Sequence, residues 1–139
     1  RAVTVPGTLD QLAFVHPVGT AAKDFFKVVP RMEILSPYLR AGLDPGLKAG
    51  LTVHTEAVPY CILPAYEHCV VESRIPQTKV VDAGAVVQDY RVYRLTEGKL
   101  KGPRCPECRW FEMCEGPWRE YPEHYGFDEF RPVEPPGES

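Results

Sequence analysis

The sequence lacks the features of several large protein classes. No run of apolar residues approaches the roughly 20 that a membrane-spanning helix needs, so a membrane protein is not expected. The formal net charge is -3, and without a basic excess nucleic-acid binding is not expected either. The chain begins without a charged segment followed by an apolar one, so there is no sign of a secretory signal; a trimmed or processed fragment is expected.

Common catalytic motifs are also missing. The sequence has no GxSxG elbow, no phosphate-binding GxxxxGK loop and no HExxH helix. Glu56, Glu72 and Asp82 are acid-base candidates, but carboxylates at strand edges are usually solvated, and we expect no catalysis from them. Five cysteines, with three of them within ten residues, do not form a paired disulfide framework. This usage favours a reducing, cytoplasmic setting and a bound metal.

The first half of the chain predicts a strand, a helix and a second strand. With 139 residues, 44% of them hydrophobic, the chain has the composition of a soluble globular protein and the length of one domain, or of the tail of one plus a small appendage. Residues 10–16 and 51–58 predict strands, and residues 30–49 predict a helix that Pro37 and Pro45 bend or split. The leucine spacing of that helix gives it one apolar face. This order predicts a parallel βαβ unit in an α/β (α+β) fold.

The second half predicts a small irregular region. Val70–Val71 and Val80–Val81 are short strand candidates, and residues 86–97 favour a helix, although a strand also fits their pattern. The aromatic-rich residues 110–130 can be buried only by packing over another part of the protein. Residues 132–139 predict a flexible tail.

Three clustered cysteines predict a metal centre. Cys105 and Cys108 are separated by two residues, a spacing that directs two thiolates at one centre, and Cys114 follows after five more. Zinc and iron-sulfur centres both take four thiolates, so a structural zinc-binding or interaction module is an alternative. The spacing favours an iron-sulfur cluster, because structural zinc sites usually add a second cysteine pair or two histidines.

The fourth ligand must come from another part of the chain. Cys61 is favoured because it follows the second predicted strand, and strand ends position ligands well. Cys69 lies in a valine-rich run and is expected to be a buried core residue. His68 and His124 are further alternatives, and either would make a Cys3His centre that is typical of zinc.

Several segments together resemble a known enzyme superfamily. These are residues 99–108 (KLKGPRCPEC), 114–118 (CEGPW) and 125–130 (YGFDEF). They resemble the carboxyl end of radical SAM proteins that carry a SPASM or twitch extension. Residues 14–19 (FVHPVG) and 56–61 (EAVPYC) are similar to the late strands of the partial βα barrel in the same superfamily.

The resemblance implies a specific organisation. Residues 1–60 would be the C-terminal βαβ piece of the partial barrel, and residues 61–131 a cysteine-rich auxiliary cluster domain before the tail of 132–139. The ligands of one auxiliary 4Fe-4S cluster would be Cys61, Cys105, Cys108 and Cys114. Trp118 occupies the position of the family's next cysteine, which implies one cluster of the twitch kind.

The same resemblance implies a missing catalytic part. The C-x3-C-x2-C motif that binds the catalytic cluster and S-adenosylmethionine is absent, so this chain alone would not be a complete oxidoreductase. That part would lie on a missing N-terminal segment or on another chain, with His16, Gly19 and Thr20 forming an edge of the S-adenosylmethionine pocket. The auxiliary cluster would relay electrons or bind the substrate, either a peptide or a small molecule.

Overall fold

The structure, a computed structural model, describes residues 13–15, 24–72, 76–82 and 84–135. These residues form a mixed α+β arrangement of four α-helices and four short strands. In chain order the elements are β1 (Ala13–Val15), α1 (Phe25–Val28), α2 (Met32–Lys48), β2 (His54–Glu56), β3 (Val80–Asp82), β4 (Ala85–Val87), α3 (Tyr90–Tyr93) and α4 (Glu120–Tyr125). Several 3-10 turns and a π-helical turn lie between them.

Strands β1 and β2 pair in parallel, with α1 and α2 between them in the chain. Ala13 lies opposite His54, and Val15 lies opposite Glu56. The parallel βαβ unit is therefore confirmed. Strand β2 is shorter than the predicted 51–58, and the outer residues of the first predicted strand lie outside the described residues. A single parallel bridge between Thr55 and Val70 adds to this pairing, while the partial barrel remains a prediction.

Helix α2 runs without interruption through both of its prolines. Pro37 and Pro45 were predicted to bend or split this helix, and the splitting alternative is wrong. Each interior proline costs about 3 kcal/mol in an isolated helix. That cost is offset because Met32 and Leu43 are buried in the core, with Leu39 and Leu47 of the same helix packed against it, and each fully buried large side chain contributes about 1.5–3 kcal/mol.

The start of α2 is held by residues near the end of the chain. The amide of Met32 donates to the Tyr121 hydroxyl at 2.8 Å, and the amide of Glu33 donates to Oε2 of Glu129 at 2.8 Å. The Tyr121 hydroxyl in turn donates to Glu129. These acceptors satisfy amides that a helix leaves free at its first turn. The aromatic segment therefore packs over the rest of the protein, as predicted.

The core is one cluster that draws on both halves of the chain. Its buried members are Phe25, Val29, Met32, Leu43, Val53, Val58, Ile62, Leu63, Cys69, Tyr121 and Phe130. Ile62 directly follows Cys61, which packs against this cluster, so the core and the cysteine-rich region share a boundary. None of the helices in the described ranges is long and apolar enough to cross a membrane.

The predicted strands and helix after residue 70 are confirmed in part. Strands β3 and β4 form an antiparallel hairpin in which Val81 lies opposite Val86. Residues 86 and 87 are therefore extended, and the helix predicted from residue 86 begins at Tyr90. The side chain of Asp89 accepts a hydrogen bond from the Val92 amide at 3.1 Å, which stabilises the start of α3. A π-helical turn, Arg94–Gly98, continues α3.

Candidate metal centre

Four of the five cysteines line one cavity. They are Cys61, Cys105, Cys108 and Cys114. The remaining wall consists mainly of apolar side chains and backbone: Pro59, Tyr60, Lys101, Phe111, Gly116, Pro117, Phe130, Arg131 and Pro132. Among the described residues of this wall, sulfur is the only strong metal-binding side-chain donor.

The cysteine pair lies on a tight turn. Cys105 begins the 3-10 turn Cys105–Glu107, and the amide of Cys108 donates to the Cys105 carbonyl at 3.0 Å. Pro106 restricts the backbone inside the turn, which reduces the conformational entropy lost when the thiolates bind a metal. The sequence spacing and the turn together bring both thiols to the same cavity wall.

Cys114 is held by a second series of turns. Its amide donates to the Trp110 carbonyl at 2.8 Å, and the amide of Phe111 donates to the Cys108 carbonyl at 2.9 Å. Gly116 then reverses the chain with a φ of +84°. A Cβ atom at Gly116 would lie 2.5 Å from the Leu100 carbonyl oxygen, so only glycine allows this close approach.

Cys61 reaches the cavity from the end of the parallel sheet. Strand β2 ends at Glu56, and the buried Ala57 has a positive φ of 62°, a conformation that redirects the chain. Cys61 then lies in the 3-10 turn Tyr60–Ile62. The position predicted for a ligand, just past a strand, is therefore the position from which this thiol enters the cavity.

Backbone amides donate hydrogen bonds to the sulfur atoms of the cavity. The amide of Gly102 donates to Sγ of Cys105 at 3.2 Å, and the amide of Val133 donates to Sγ of Cys108 at 3.4 Å. The amides of Gly116 and Tyr60 act on the Cys114 thiol and lower its pKa, which partly opposes the effect of burial. Amide donors of this kind stabilise thiolates and tune bound iron-sulfur centres.

Burial raises the pKa of the two deeper thiols. The pKa of Cys61 rises to about 12, first because of desolvation and then because of the neighbouring thiolates of Cys114, Cys108 and Cys105. The pKa of Cys114 rises to about 11, again chiefly through burial. A metal must therefore displace protons from these thiols when it binds. Because the other three thiolates each raise the pKa of Cys61, all four sulfur atoms lie close enough to interact electrostatically.

The four thiols do not form a site for a single ion. Within the described part of the chain, no group of three or more cysteine, histidine or acidic side chains is arranged to hold one metal ion. Four thiolates on one zinc ion would lie about 3.8 Å apart, given Zn–S bonds of about 2.3 Å in a tetrahedron. Ligands of a 4Fe-4S cluster are spread more widely, because each thiolate binds a different iron.

A buried network of charges adjoins the cavity. The guanidinium of Arg94 donates to Oε2 of Glu115 at 2.6 and 2.9 Å, which fixes the residue that follows Cys114. The same guanidinium lies 3.7 Å from Glu72 and 3.8 Å from Glu56. Because Arg94 is fully buried, these carboxylates supply its counter-charge.

Glu72 lies at the centre of this network. It accepts a hydrogen bond from Lys99 at 2.7 Å and is 1% exposed, so the expectation of a solvated carboxylate is wrong here. Burial raises its pKa, against the opposing effect of Lys99, and its charge raises the pKa of Cys114. The Trp118 ring packs beneath Lys99 and Arg94, with cation-to-centroid distances of 4.9 and 5.4 Å. No spacing in the sequence marked this network.

The other candidate ligands lie away from the cavity wall. Cys69 is fully buried in the hydrophobic core, the environment expected for it from the sequence. His68 and His124 are both exposed, and His124 stacks on Phe25. The predicted S-adenosylmethionine contacts, His16, Gly19 and Thr20, lie outside the described residues.

The remaining acid-base candidates occupy different settings. Glu56 is half-buried at the end of β2 and faces Arg94. Asp82 ends β3, in the hairpin.

Comparisons of the chain with known protein families, with curated proteins and with solved structures found no match.

Proposed function

We propose that this chain binds one 4Fe-4S cluster through Cys61, Cys105, Cys108 and Cys114, as the auxiliary cluster part of a radical SAM enzyme. The observation that carries the proposal is the shared cavity of these four cysteines. Two distant segments of the chain supply them, and the fifth cysteine lies apart in the core. The link to radical SAM enzymes is supported by the resemblance of the residues around the cysteines.

The donor set disfavours a Cys3His zinc site, and its surroundings suit a cluster. All four side chains are cysteines, whereas the histidines that would complete a Cys3His zinc site are exposed. Amides donate to the sulfur atoms, and apolar side chains surround them, as is usual for iron-sulfur ligands. When bound, a 4Fe-4S cluster supplies one-electron transfer or an iron site for a ligand.

Within a radical SAM enzyme, the cluster would serve electron relay or substrate binding beside the radical. The S-adenosylmethionine-cleaving motif would lie on another segment or chain, in a cytoplasmic oxidoreductase that acts on a peptide or a small molecule. Reading the coding sequence upstream of Arg1 tests this part of the proposal. A C-x3-C-x2-C motif is expected there, and its absence both there and in neighbouring genes would contradict the radical SAM assignment.

Anaerobic reconstitution tests the cluster. The chain is loaded with iron and sulfide without oxygen, and bound iron, sulfide and visible absorbance are measured. We expect about four irons and four sulfides per chain, with the brown colour of a 4Fe-4S protein. A colourless protein that retains one tightly bound zinc under the same conditions would indicate the structural zinc module instead.

Single alanine variants identify the ligands. Replacing Cys61, Cys105, Cys108 or Cys114 should reduce the iron content of the reconstituted protein. Cys69→Ala is the matched control, because it removes a buried thiol that does not line the cavity. If Cys69→Ala lost iron while Cys61→Ala retained all of it, Cys69 rather than Cys61 would be the fourth ligand, and the proposed ligand set would be wrong.

A further inference from the structure

In the described part of the chain, two basic residues and no carboxylate line the cavity. Among the described residues that line it, Lys101 and Arg131 are the cations, and no aspartate or glutamate lines it. A 4Fe-4S cluster with four thiolate ligands is an anion, and burying an anion is costly unless an opposite charge lies nearby. The two wall cations are therefore the candidates for that charge.

Lys101 is held in place, whereas Arg131 is exposed. The ammonium of Lys101 donates to the Phe111 carbonyl at 2.6 Å and lies 4.0 Å from the centroid of the Phe111 ring. Lys101 itself is half-buried, and both it and Phe111 line the cavity. Arg131 is an exposed residue, so water and salt screen its charge more strongly.

We propose that Lys101 is the fixed counter-charge of the cluster and raises its reduction potential. This inference rests on the proposed cluster. One-electron reduction adds a negative charge to a site that is already anionic, and no bond forms or breaks. A nearby fixed cation stabilises the more negative, reduced form, and does so more strongly beside an apolar cavity than in bulk water. Lys101 thus acts on the potential without being a ligand.

A redox titration of the reconstituted full chain tests the inference. The electron is supplied by dithionite, and the midpoint potential is read from the visible or electron paramagnetic resonance signal. Lys101→Met keeps the aliphatic stem and removes the charge, so we expect a lower midpoint potential at unchanged iron content. Lys101→Arg keeps the charge, and we expect it to restore most of the wild-type potential.

Two further variants test whether the effect depends on where the positive charge lies. Arg131→Met removes a screened cation from the same wall and should lower the potential less than Lys101→Met does. Lys79→Met removes an exposed cation that does not line the cavity and should leave the potential unchanged. A Lys101→Met protein that binds full iron at the wild-type potential would overturn the inference.

The outcomes also distinguish this inference from the proposed cluster itself. If the wild-type chain binds no iron-sulfur cluster, the proposed function fails, and the role proposed for Lys101 fails with it. If the wild type binds a cluster but Lys101→Met does not, the midpoint potentials of Lys101→Arg and Lys101→Gln are compared instead. We expect the arginine variant to have the higher potential, and equal potentials would refute a role for the charge.

Discussion

The amide of Val133 donates a hydrogen bond to Sγ of Cys108 at 3.4 Å, across 25 residues of sequence. The Val133 carbonyl also accepts a hydrogen bond from the Arg109 amide at 3.0 Å. Both bonds connect the segment after Phe130 to the turn that carries the cysteine pair. The end of the described chain thus forms part of the cysteine cavity, with Pro132 in its wall.

Removing this amide should weaken the retention of a bound cluster. Val133→Pro eliminates the N–H donor and leaves the carbonyl, so the bond to Cys108 is lost while the chain can still accept from Arg109. Partners that hydrogen-bond to metal ligands are typically worth about 10-fold to 100-fold in metal affinity. We expect iron to be lost to a chelator about 10 times faster. Val133→Ala keeps the amide and should match the wild type; equal rates for both variants would contradict the role of the bond.

Gly116 should tolerate no side chain. Gly116→Ala places a Cβ atom 2.5 Å from a backbone oxygen at a φ of +84°, and the backbone strain alone costs about 1–3 kcal/mol. We expect destabilisation of about 3 kcal/mol or more in denaturant titrations, with reduced iron binding. Gly50→Ala is the control, because Gly50 also has positive φ but has open space around it. It should cost about 1 kcal/mol and leave iron binding intact.

Removing only one partner of the buried Lys99–Glu72 pair should destabilise the protein. Both side chains are buried, so Lys99→Met leaves a carboxylate with less compensation inside the protein. Breaking a buried pair in this way costs about 3–5 kcal/mol. Urea titrations of Lys99→Met should show a loss of that size. The double variant Lys99→Met/Glu72→Leu should recover most of it, and a double variant less stable than the single one would contradict this reasoning.

Tyr121 should make stability depend on alkaline pH. Burial, followed by the hydrogen bond with Glu129, raises the pKa of Tyr121 above its ordinary value of 10.0. The unfolded chain therefore loses this proton at a lower pH than the folded chain does. The free energy of unfolding should fall as pH rises above about 10, by at most about 1.4 kcal/mol per pH unit from this group.

Comparison with Tyr121→Phe isolates that effect. The phenylalanine variant lacks the ionising hydroxyl, so its stability should fall less steeply between about pH 9 and about pH 11 in urea titrations. At neutral pH the variant should be less stable by about 1–3 kcal/mol, because Glu129 and the Met32 amide lose a buried partner. Identical slopes for the two proteins would show that Tyr121 does not titrate differently in the folded state.

Some features of the fold were predictable because they depend on short-range patterns. The leucine spacing predicted α2, and the order of apolar segments predicted the parallel pairing of β1 with β2. Strand ends were less predictable, since β2 stops at Glu56, where the positive φ of Ala57 redirects the chain. The continuity of α2 through its prolines was not predictable from local propensity, because burial of its apolar face outweighs that propensity.

By itself the sequence determined which thiols are close to one another along the chain, since a two-residue spacing closes a tight turn whatever surrounds it. Only the tertiary structure decided which further groups meet them. Cys61, Lys101 and Pro132 line the same cavity from separate segments, and Glu72 is buried against Lys99 across 27 residues. Long-range contacts of this kind follow from how the core packs and where buried charges find partners, and no local pattern records them.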